Sequence, residues 1–202
     1  MTAEHASGPL RDFLEATAVE NSAAEQLRAF TRVGDGGERE FIKDDTTKLA
    51  EVEPHVREEV LRGWNAAGYG ATLNKIGWHE IEFSHEFFRI IDMAKRIGSG
   101  DGSFGAARYY LLIAGGDKMR PNEPNVILDV KLTTEPAMKP QLSPADAAWY
   151  ATLFHNEGSR ANLAQRALTS FTDPYTGWIS IGGGLYTRRY TPTSHRLDLH
   201  RR

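Results

Sequence analysis

The sequence predicts an α+β fold: one antiparallel sheet of about five strands with a helix packed on it, preceded by a helical N-terminal region. Three observations support this. Helical spacing of apolar residues dominates the first part of the chain, and aromatic and β-branched runs bounded by glycines dominate the rest. A helix-start signal separates two groups of strands. We therefore expect a helical region over 1–85 and a glycine-loop/lysine domain over 86–202.

The N-terminal region is predicted to hold two helices. Residues 8–32 carry apolar side chains at the i, i+3, i+4 and i+7 spacing, so one amphipathic helix is expected there, ending at the glycine cluster 34–37. A short strand is expected over 38–42. Pro54 suits the first turn of a second helix that reaches about residue 66.

The remaining elements follow from local composition. Ser143 followed by Pro144 is typical of a helix N-terminus, and this helix is expected to run toward residue 154 and to resume through 168. Aromatic and β-branched runs predict consecutive antiparallel strands and a C-terminal hairpin, over 90–97, 107–113, 126–132 and 178–190.

Composition and charge exclude several classes of protein. The chain has 202 residues, a net charge of −3 and no cysteine, which excludes a disulfide scaffold, a thiolate zinc site and a cysteine nucleophile. Residues 183–202 are basic, but we interpret them as a solvated face opposite the acidic residues 1–60, so no nucleic-acid partner is expected. No apolar run has the length of a membrane span and no signal segment is visible, so we expect no membrane partner and a cytoplasmic location.

A glycine-rich segment between the first two predicted strands could cradle phosphate. It matches G-x-G-x-x-G through Gly100, Gly102, Ser103, Phe104 and Gly105. Glycine backbones turn tightly and bring N–H groups close to phosphate oxygens. A dinucleotide fingerprint would need a helix after Gly105 and an acid such as Asp129, whereas a kinase-type loop would need a strand there. A plain glycine-rich hairpin turn is an equally good explanation.

The kinase-type interpretation also needs a lysine and a glutamate. Lys131 lies in an apolar strand and would pair with phosphate, while Glu157 on the following helix would orient it. The alternatives are a lysine that reaches solvent from a strand edge and a solvated glutamate at a helix end. The motifs H-R-D, D-F-G and G-D-x-H are missing, as are the Walker and nucleophile-elbow motifs.

Residues 79–86 concentrate histidine and acidic side chains. Their spacing is not H-E-x-x-H, and in a strand His79 and His85 would lie roughly 20 Å apart, too far to share one ion. We therefore expect a polar surface segment and no metal site.

An ordered series of motifs resembles the uncharacterised family catalogued as domain of unknown function 2252. The resemblance is good over about 86–199 and loose over 1–85. This sequence departs from the family in a glycine loop that is one residue longer, in Leu132–Thr133 where the family has E-A, and in Ala161–Asn162 where it has V-V. The segments that carry the resemblance are Asp92–Ile97, Gly102–Gly105, Arg108–Leu112, Leu128–Lys131, Asn156–Glu157, Arg160, Gln165–Arg166, Gly182–Gly183, Tyr186, Arg188 and Arg196–Leu199.

The resemblance implies a kinase-like architecture in permuted order, of which this chain is the middle part, similar to a kinase N-lobe. The family's upstream G-D-x-H and D-x-N-D-F-D-E segments, which resemble a catalytic loop and a metal-binding aspartate, do not occur here. The implied cofactors are ATP and Mg²⁺, and the implied partner is a missing catalytic half or a small-molecule substrate. The alternatives are a non-catalytic remnant or interaction module, and a dinucleotide-binding oxidoreductase that fails if 106–114 is a strand.

Overall fold

The predicted α+β class is confirmed. The computed structural model describes residues 3–20, 22–73, 82–98, 107–116, 124–168, 173–180 and 185–189. Its helices are α1 (Pro9–Glu20), α2 (Ala23–Phe30), α3 (Pro54–Gly63), α4 (Ala71–Leu73), α5 (Pro144–Leu153) and α6 (Glu157–Leu168). Its strands are β1 (Thr31–Val33), β2 (Arg39–Phe41), β3 (Leu49–Ala50), β4 (Ile90–Arg96), β5 (Arg108–Ile113), β6 (Val126–Leu132), β7 (Gly177–Ile179) and β8 (Leu185–Arg189).

The N-terminal region contains two helices and a hairpin where a single helix over 8–32 was expected. The Ser22 hydroxyl accepts a hydrogen bond from the Glu25 amide and caps a new helix, α2. Residues 31–33 then form β1, which pairs with β2. The single-helix prediction was wrong because apolar spacing continues across the cap. Helix α3 likewise ends at Gly63, before a π-helical turn over Ala66–Gly70.

The main sheet has six antiparallel strands in the order β3-β4-β5-β6-β8-β7. The three predicted strands over 90–97, 107–113 and 126–132 are confirmed as consecutive antiparallel neighbours, and the predicted C-terminal hairpin is confirmed as β7 and β8. The sixth strand is the two-residue β3, which comes from the N-terminal region and pairs with β4. Because β5 is a strand and not a helix, the dinucleotide interpretation fails.

The central strands β5 and β6 are buried on both faces. Tyr109 and Leu111 pack into a larger cluster on one face, which we call the major face. Tyr110 and Leu112 pack into a smaller cluster on the other, the minor face. This two-sided burial explains why these strands read as continuous apolar runs rather than as alternating patterns.

Different parts of the N-terminal region cover the two faces. Trp64 and Tyr69, after α3, stack with ring centroids 4.0 Å apart and pack into the cluster of the major face. Leu27 of α2 and Phe41 of β2 belong to the cluster of the minor face. Residues on both sides of position 85 therefore share both cores, while the expected division into two regions stays a prediction.

Hydrogen bonds connect the π-helical turn and the adjoining α4 to the far edge of the sheet and to α6. The Tyr69 hydroxyl donates to the Tyr175 carbonyl at 2.6 Å, and the Trp178 amide donates to the Thr72 hydroxyl at 2.9 Å. The buried Arg166 of α6 donates to the carbonyls of Leu73 and Thr176. Each bond gives a buried polar group a partner that water would otherwise supply.

Helix α5 contributes no side chain to the buried clusters of either face. Ser143 caps it as the sequence predicted, yet none of its residues is buried, and Trp149 is 64% and Leu153 42% exposed. Of the described helices, none is long and apolar enough to cross a membrane.

Gly177 of β7 lies against Tyr69 of the π-helical turn and Thr72 of α4, so a larger residue at this position tests how tightly these elements pack. A Cβ at this position would lie 2.6 Å from the Thr72 hydroxyl oxygen and 2.8 Å from the Tyr69 ring. We expect Gly177→Ala to lower the free energy of unfolding by about 1–3 kcal/mol, because the surrounding core has no room to yield. Gly36→Ala, where nothing lies within 4 Å, is the control and should change it much less. Urea denaturation measures both, and equal losses would contradict this packing.

Candidate functional site

The candidate site lies at the end of the sheet where the glycine-rich connection leaves β4 and returns into β5. Gly100, Gly102, Ser103, Phe104 and Gly105 themselves lie outside the described residues. The strands on either side are described, and they pair in register up to Lys95 and Tyr109.

Lys131 lies at this same end. It pairs in register with Arg108, the first residue of β5 after the glycine-rich connection. Residues alternate between the faces of a strand, so Lys131 shares the minor face with Ile127 and Asp129. The predicted phosphate-pairing lysine is therefore next to the strand end that receives the glycine-rich connection.

An ion pair on the minor face joins β5 to β6. The Arg108 guanidinium donates two hydrogen bonds to the Asp129 carboxylate, each 2.7 Å long. The Asp129 side chain is only 2% exposed and that of Arg108 13%. Bidentate geometry of this kind fixes both side chains and satisfies a carboxylate that has lost its water. Asp129 therefore serves as the partner of Arg108 and not as the ribose-binding acid of a dinucleotide site.

Arg96 is a third basic residue at this end of the sheet, and its side chain reaches toward the segment before β3. Continuing the register of Lys95 and Tyr109 by one residue places Arg96, the last residue of β4, opposite Arg108. The Arg96 guanidinium donates to the backbone carbonyl of Thr47.

Glu157, at the start of α6, is held by three donors. Its carboxylate accepts hydrogen bonds from Lys139 at 3.0 Å, the Tyr150 hydroxyl at 2.8 Å and Arg160 at 2.5 Å. Its side chain is 12% exposed. Burial raises the pKa of Glu157, but the bonds from Arg160, Tyr150 and Lys139 outweigh burial and hold the pKa below its ordinary value.

The predicted ion pair between Lys131 and Glu157 stays a prediction. In the described structure the Glu157 carboxylate already has three partners on 139–160. Lys131 lies on the minor face of β6 beside Asp129. Sequence spacing selected Glu157 as the partner of Lys131, but it missed Lys139, Tyr150 and Arg160.

A separate ion pair lies on the major face at this end of the sheet. Lys95, adjacent to Arg96 but on the opposite face, donates to Glu53 at the start of α3. The hydrogen bond from Lys95 lowers the pKa of Glu53, and the same bond raises the pKa of Lys95. Burial raises the pKa of the neighbouring Tyr109. Lys95 and Glu53 thus form a pair of opposite charges on the major face.

The histidine-rich segment falls partly outside the described residues. His79 is not described, whereas Phe83 and His85 meet edge to face with ring centroids 5.4 Å apart. Within the described ranges, no group of three or more histidine, aspartate or glutamate side chains could hold a metal ion.

The fold and the site define an antiparallel α+β protein with basic residues on neighbouring strands, at the end of the sheet where a glycine-rich connection joins β4 to β5. The chain belongs to the family described as "Uncharacterized protein conserved in bacteria (DUF2252)", whose model matches residues 1–201. The match thus includes residues 1–85, where the motifs alone gave only a loose resemblance. No curated protein and no solved structure matches the chain.

Sequence reasoning identified Lys131 but missed its basic neighbours. Arg96 and Arg108 were visible only as parts of family motifs. The signal that relates them is the strand register, which pairs Arg108 with Lys131 and which no local pattern reveals.

Glu157→Gln tests the network at the start of α6. An amide has one accepting oxygen and no charge, so we expect a loss of about 1–3 kcal/mol in the free energy of unfolding at pH 7. Because the folded pKa of Glu157 is lowered, its contribution is present above the ordinary glutamate pKa and disappears as the pH falls through the folded value. The difference between wild type and variant should therefore shrink as the pH falls below the ordinary glutamate pKa of about 4.3.

The control for this experiment is Glu135→Gln. Glu135 also bonds Lys139, but its side chain is 64% exposed, so its loss should cost below about 1 kcal/mol. Urea denaturation from neutral to acidic pH measures both variants. A loss for Glu157→Gln that stays constant with pH would show that the carboxylate charge is not what stabilises α6.

Proposed function

We propose that the protein is the nucleotide-phosphate-binding half of a kinase-like protein whose catalytic half is supplied elsewhere. The observation that carries this proposal is the register of β5 and β6. It pairs Lys131 with Arg108, the residue at which the chain enters β5 from the glycine-rich connection. The phosphate-binding part of protein kinases has the same order of elements. A strand is followed by a glycine-rich connection, a second strand and then a third strand that bears a lysine.

In this proposal the ligand is ATP. The backbone amides of Gly100–Gly105 cover its phosphates, and the Lys131 ammonium attracts them as a compact positive charge. The resemblance to a kinase N-lobe is part of the proposal and rests on the order of these elements.

Glu157 has a conditional role. To orient Lys131, its carboxylate would have to exchange at least one of its bonds to Lys139, Tyr150 and Arg160. In kinases the corresponding lysine–glutamate pair must also be in place for activity. A movement of α6 that accompanies assembly with the catalytic half would supply the exchange.

Magnesium has no assigned ligands in this proposal. Phosphoryl transfer depends on metal ions held by carboxylates or amides, and the described ranges contain no group of three or more metal-ligating side chains. We therefore propose no metal-dependent step by this chain's own residues. The partners are the missing half and a small-molecule phosphoryl acceptor bound by it.

The second candidate is a non-catalytic interaction module that binds no nucleotide. The exposed face of α5 favours it, because Trp149 and Leu153 are one helical turn apart and leave large apolar areas in water. Nucleotide binding discriminates the two candidates.

Calorimetric titration with Mg-ATP tests the proposal. An open groove leaves most of the nucleotide in water, so we expect a dissociation constant above the micromolar range. A micromolar dissociation constant corresponds to a binding free energy of about −8 kcal/mol. Lys131→Gln should weaken it about tenfold, equivalent to about 1.4 kcal/mol. Arg11→Gln, which removes an exposed positive charge on α1, is the control and should leave the affinity unchanged.

A phosphate-release assay on the same samples should show no turnover. Turnover that disappears in Lys131→Gln would mean that the chain contains metal-holding acids and is a complete enzyme. An absence of binding at millimolar Mg-ATP would reject the nucleotide proposal and favour the interaction module.

A further inference from the structure

We propose that α5 and α6 form one unit, residues 134–168, that detaches from the sheet far more readily than the rest of the described structure unfolds. The buried amide of Asn162 is the group that favours this detachment. The inference rests on the proposed function, because it supplies the physical basis for the change of partners that Glu157 needs in order to reach Lys131.

Helix α6 is attached to the sheet without an apolar face. Its buried residues are small or polar, namely Gly158, Ser159, Asn162 and Arg166. No residue over 133–168 belongs to the described cluster of the major face or to that of the minor face. Helices in proteins owe most of their stability to burying an apolar face. The two described clusters therefore leave the attachment of α6 to its polar contacts.

The described hydrogen bonds of α6 fall into two groups. Arg166 donates to the carbonyls of Leu73 and Thr176 and thus reaches outside the unit. The bonds that Glu157 accepts come from residues over 139–160, which lie inside it. This second group connects α5 to α6, so it makes the two helices one unit without fixing that unit to the sheet.

Asn162 destabilises the attached state. It lies one helical turn before Arg166 and is 0% exposed, yet neither its amide nitrogen nor its carbonyl oxygen has a hydrogen-bond partner among the described residues. The buried hydroxyl of Thr176, whose carbonyl Arg166 binds, lacks a described partner as well. A buried polar group in this situation loses the hydrogen bonds that water would give it. Detachment restores those bonds on both sides of the contact.

Helix α5 adds no anchor of its own. None of its residues is buried, and a hydrogen bond from Tyr150 to Glu157 joins it to α6. The two helices have 10 and 12 residues, which is too short for either to persist alone in water. Both should therefore unravel when α6 leaves the sheet, and their amide hydrogens then exchange with solvent.

The central strands provide the opposite case. All residues over Tyr109–Ile113 of β5 are buried, and the buried Asp129 carboxylate of β6 receives two hydrogen bonds from Arg108. Proteins open locally in cooperative parts whose stability follows such differences in burial and hydrogen bonding. These strands should therefore stay closed while the unit detaches.

Native-state hydrogen exchange of the full chain, measured by mass spectrometry, tests the detachment. After correction for intrinsic exchange rates, we expect the amides of α5 and α6 to be protected at least about a hundredfold less than those of β5 and β6. Equal protection of the helices and the strands would overturn the inference.

Asn162→Val tests the role of the amide. Valine and asparagine have similar helix propensities, so this change removes the amide and leaves the propensity of α6 nearly the same. We expect the protection of α6 to rise at least about fivefold, because the attached state no longer buries a polar group without a partner, and that of β5 and β6 to stay constant. Asn125→Val is the matched control. It removes an amide that bonds the Ala114 carbonyl, so it should raise protection nowhere.

Unchanged or lower protection of α6 in Asn162→Val would show that the amide does not favour detachment, for instance because a bound water satisfies it. If this variant does not fold, Asn162→Ala takes its place. Alanine by itself strengthens the helix by an amount equivalent to about threefold in protection. A larger gain would support the role of the amide, and a smaller one would overturn it.

The titration with Mg-ATP separates this inference from the proposed function. Binding that Lys131→Gln weakens, in a chain whose α5 and α6 are as protected as β5, would overturn the inference and leave the proposed function standing. Low protection of both helices, with no binding at millimolar Mg-ATP, would support the detachment and reject the nucleotide ligand.

Discussion

Burial of β5 and β6 on both faces is the constraint on which the rest of this structure depends. A sheet with two apolar faces must be covered on each, and the N-terminal region supplies both covers, α2 and β2 on one side and the segment after α3 on the other. The charged residues of these two strands are Arg108 at the start of β5, Lys131 near the end of β6, and Asp129, which is buried and paired with Arg108. The candidate site therefore occupies the end of the sheet that bears the glycine-rich connection.

The ion pair between Arg108 and Asp129 shows how polar groups enter that interior. Removing either partner leaves a buried charge, which typically costs about 3–5 kcal/mol, whereas the intact pair gains little stability over well-packed apolar residues. Its physical effect is positional. It holds Arg108 in one orientation at the end of β5 that receives the glycine-rich connection.

Local features of the sequence predicted local features of the fold. The apolar runs predicted β4, β5 and β6, and Ser143 with Pro144 predicted the start of α5. The division of the first helix at Ser22 was missed because one capping bond competes with an apolar pattern that continues across it. For the candidate site, Lys131 and Glu157 could be chosen by residue type and spacing. Their neighbours depend on strand register and on contacts between elements distant in sequence, which single-chain patterns do not encode.

The bonds from the π-helical turn to the far edge of the sheet have a consequence for how the chain folds. Tyr69 and Tyr175 are 106 residues apart, and closing a loop of that length costs about 2 kcal/mol more entropy than closing one of ten residues. Ribosomes add about 5–20 residues per second, so roughly 5–20 s separate the synthesis of the two tyrosines. During that interval the stacked rings of Trp64 and Tyr69 lack part of their cover. The nascent chain thus presents an aromatic surface to chaperones until its last strands emerge.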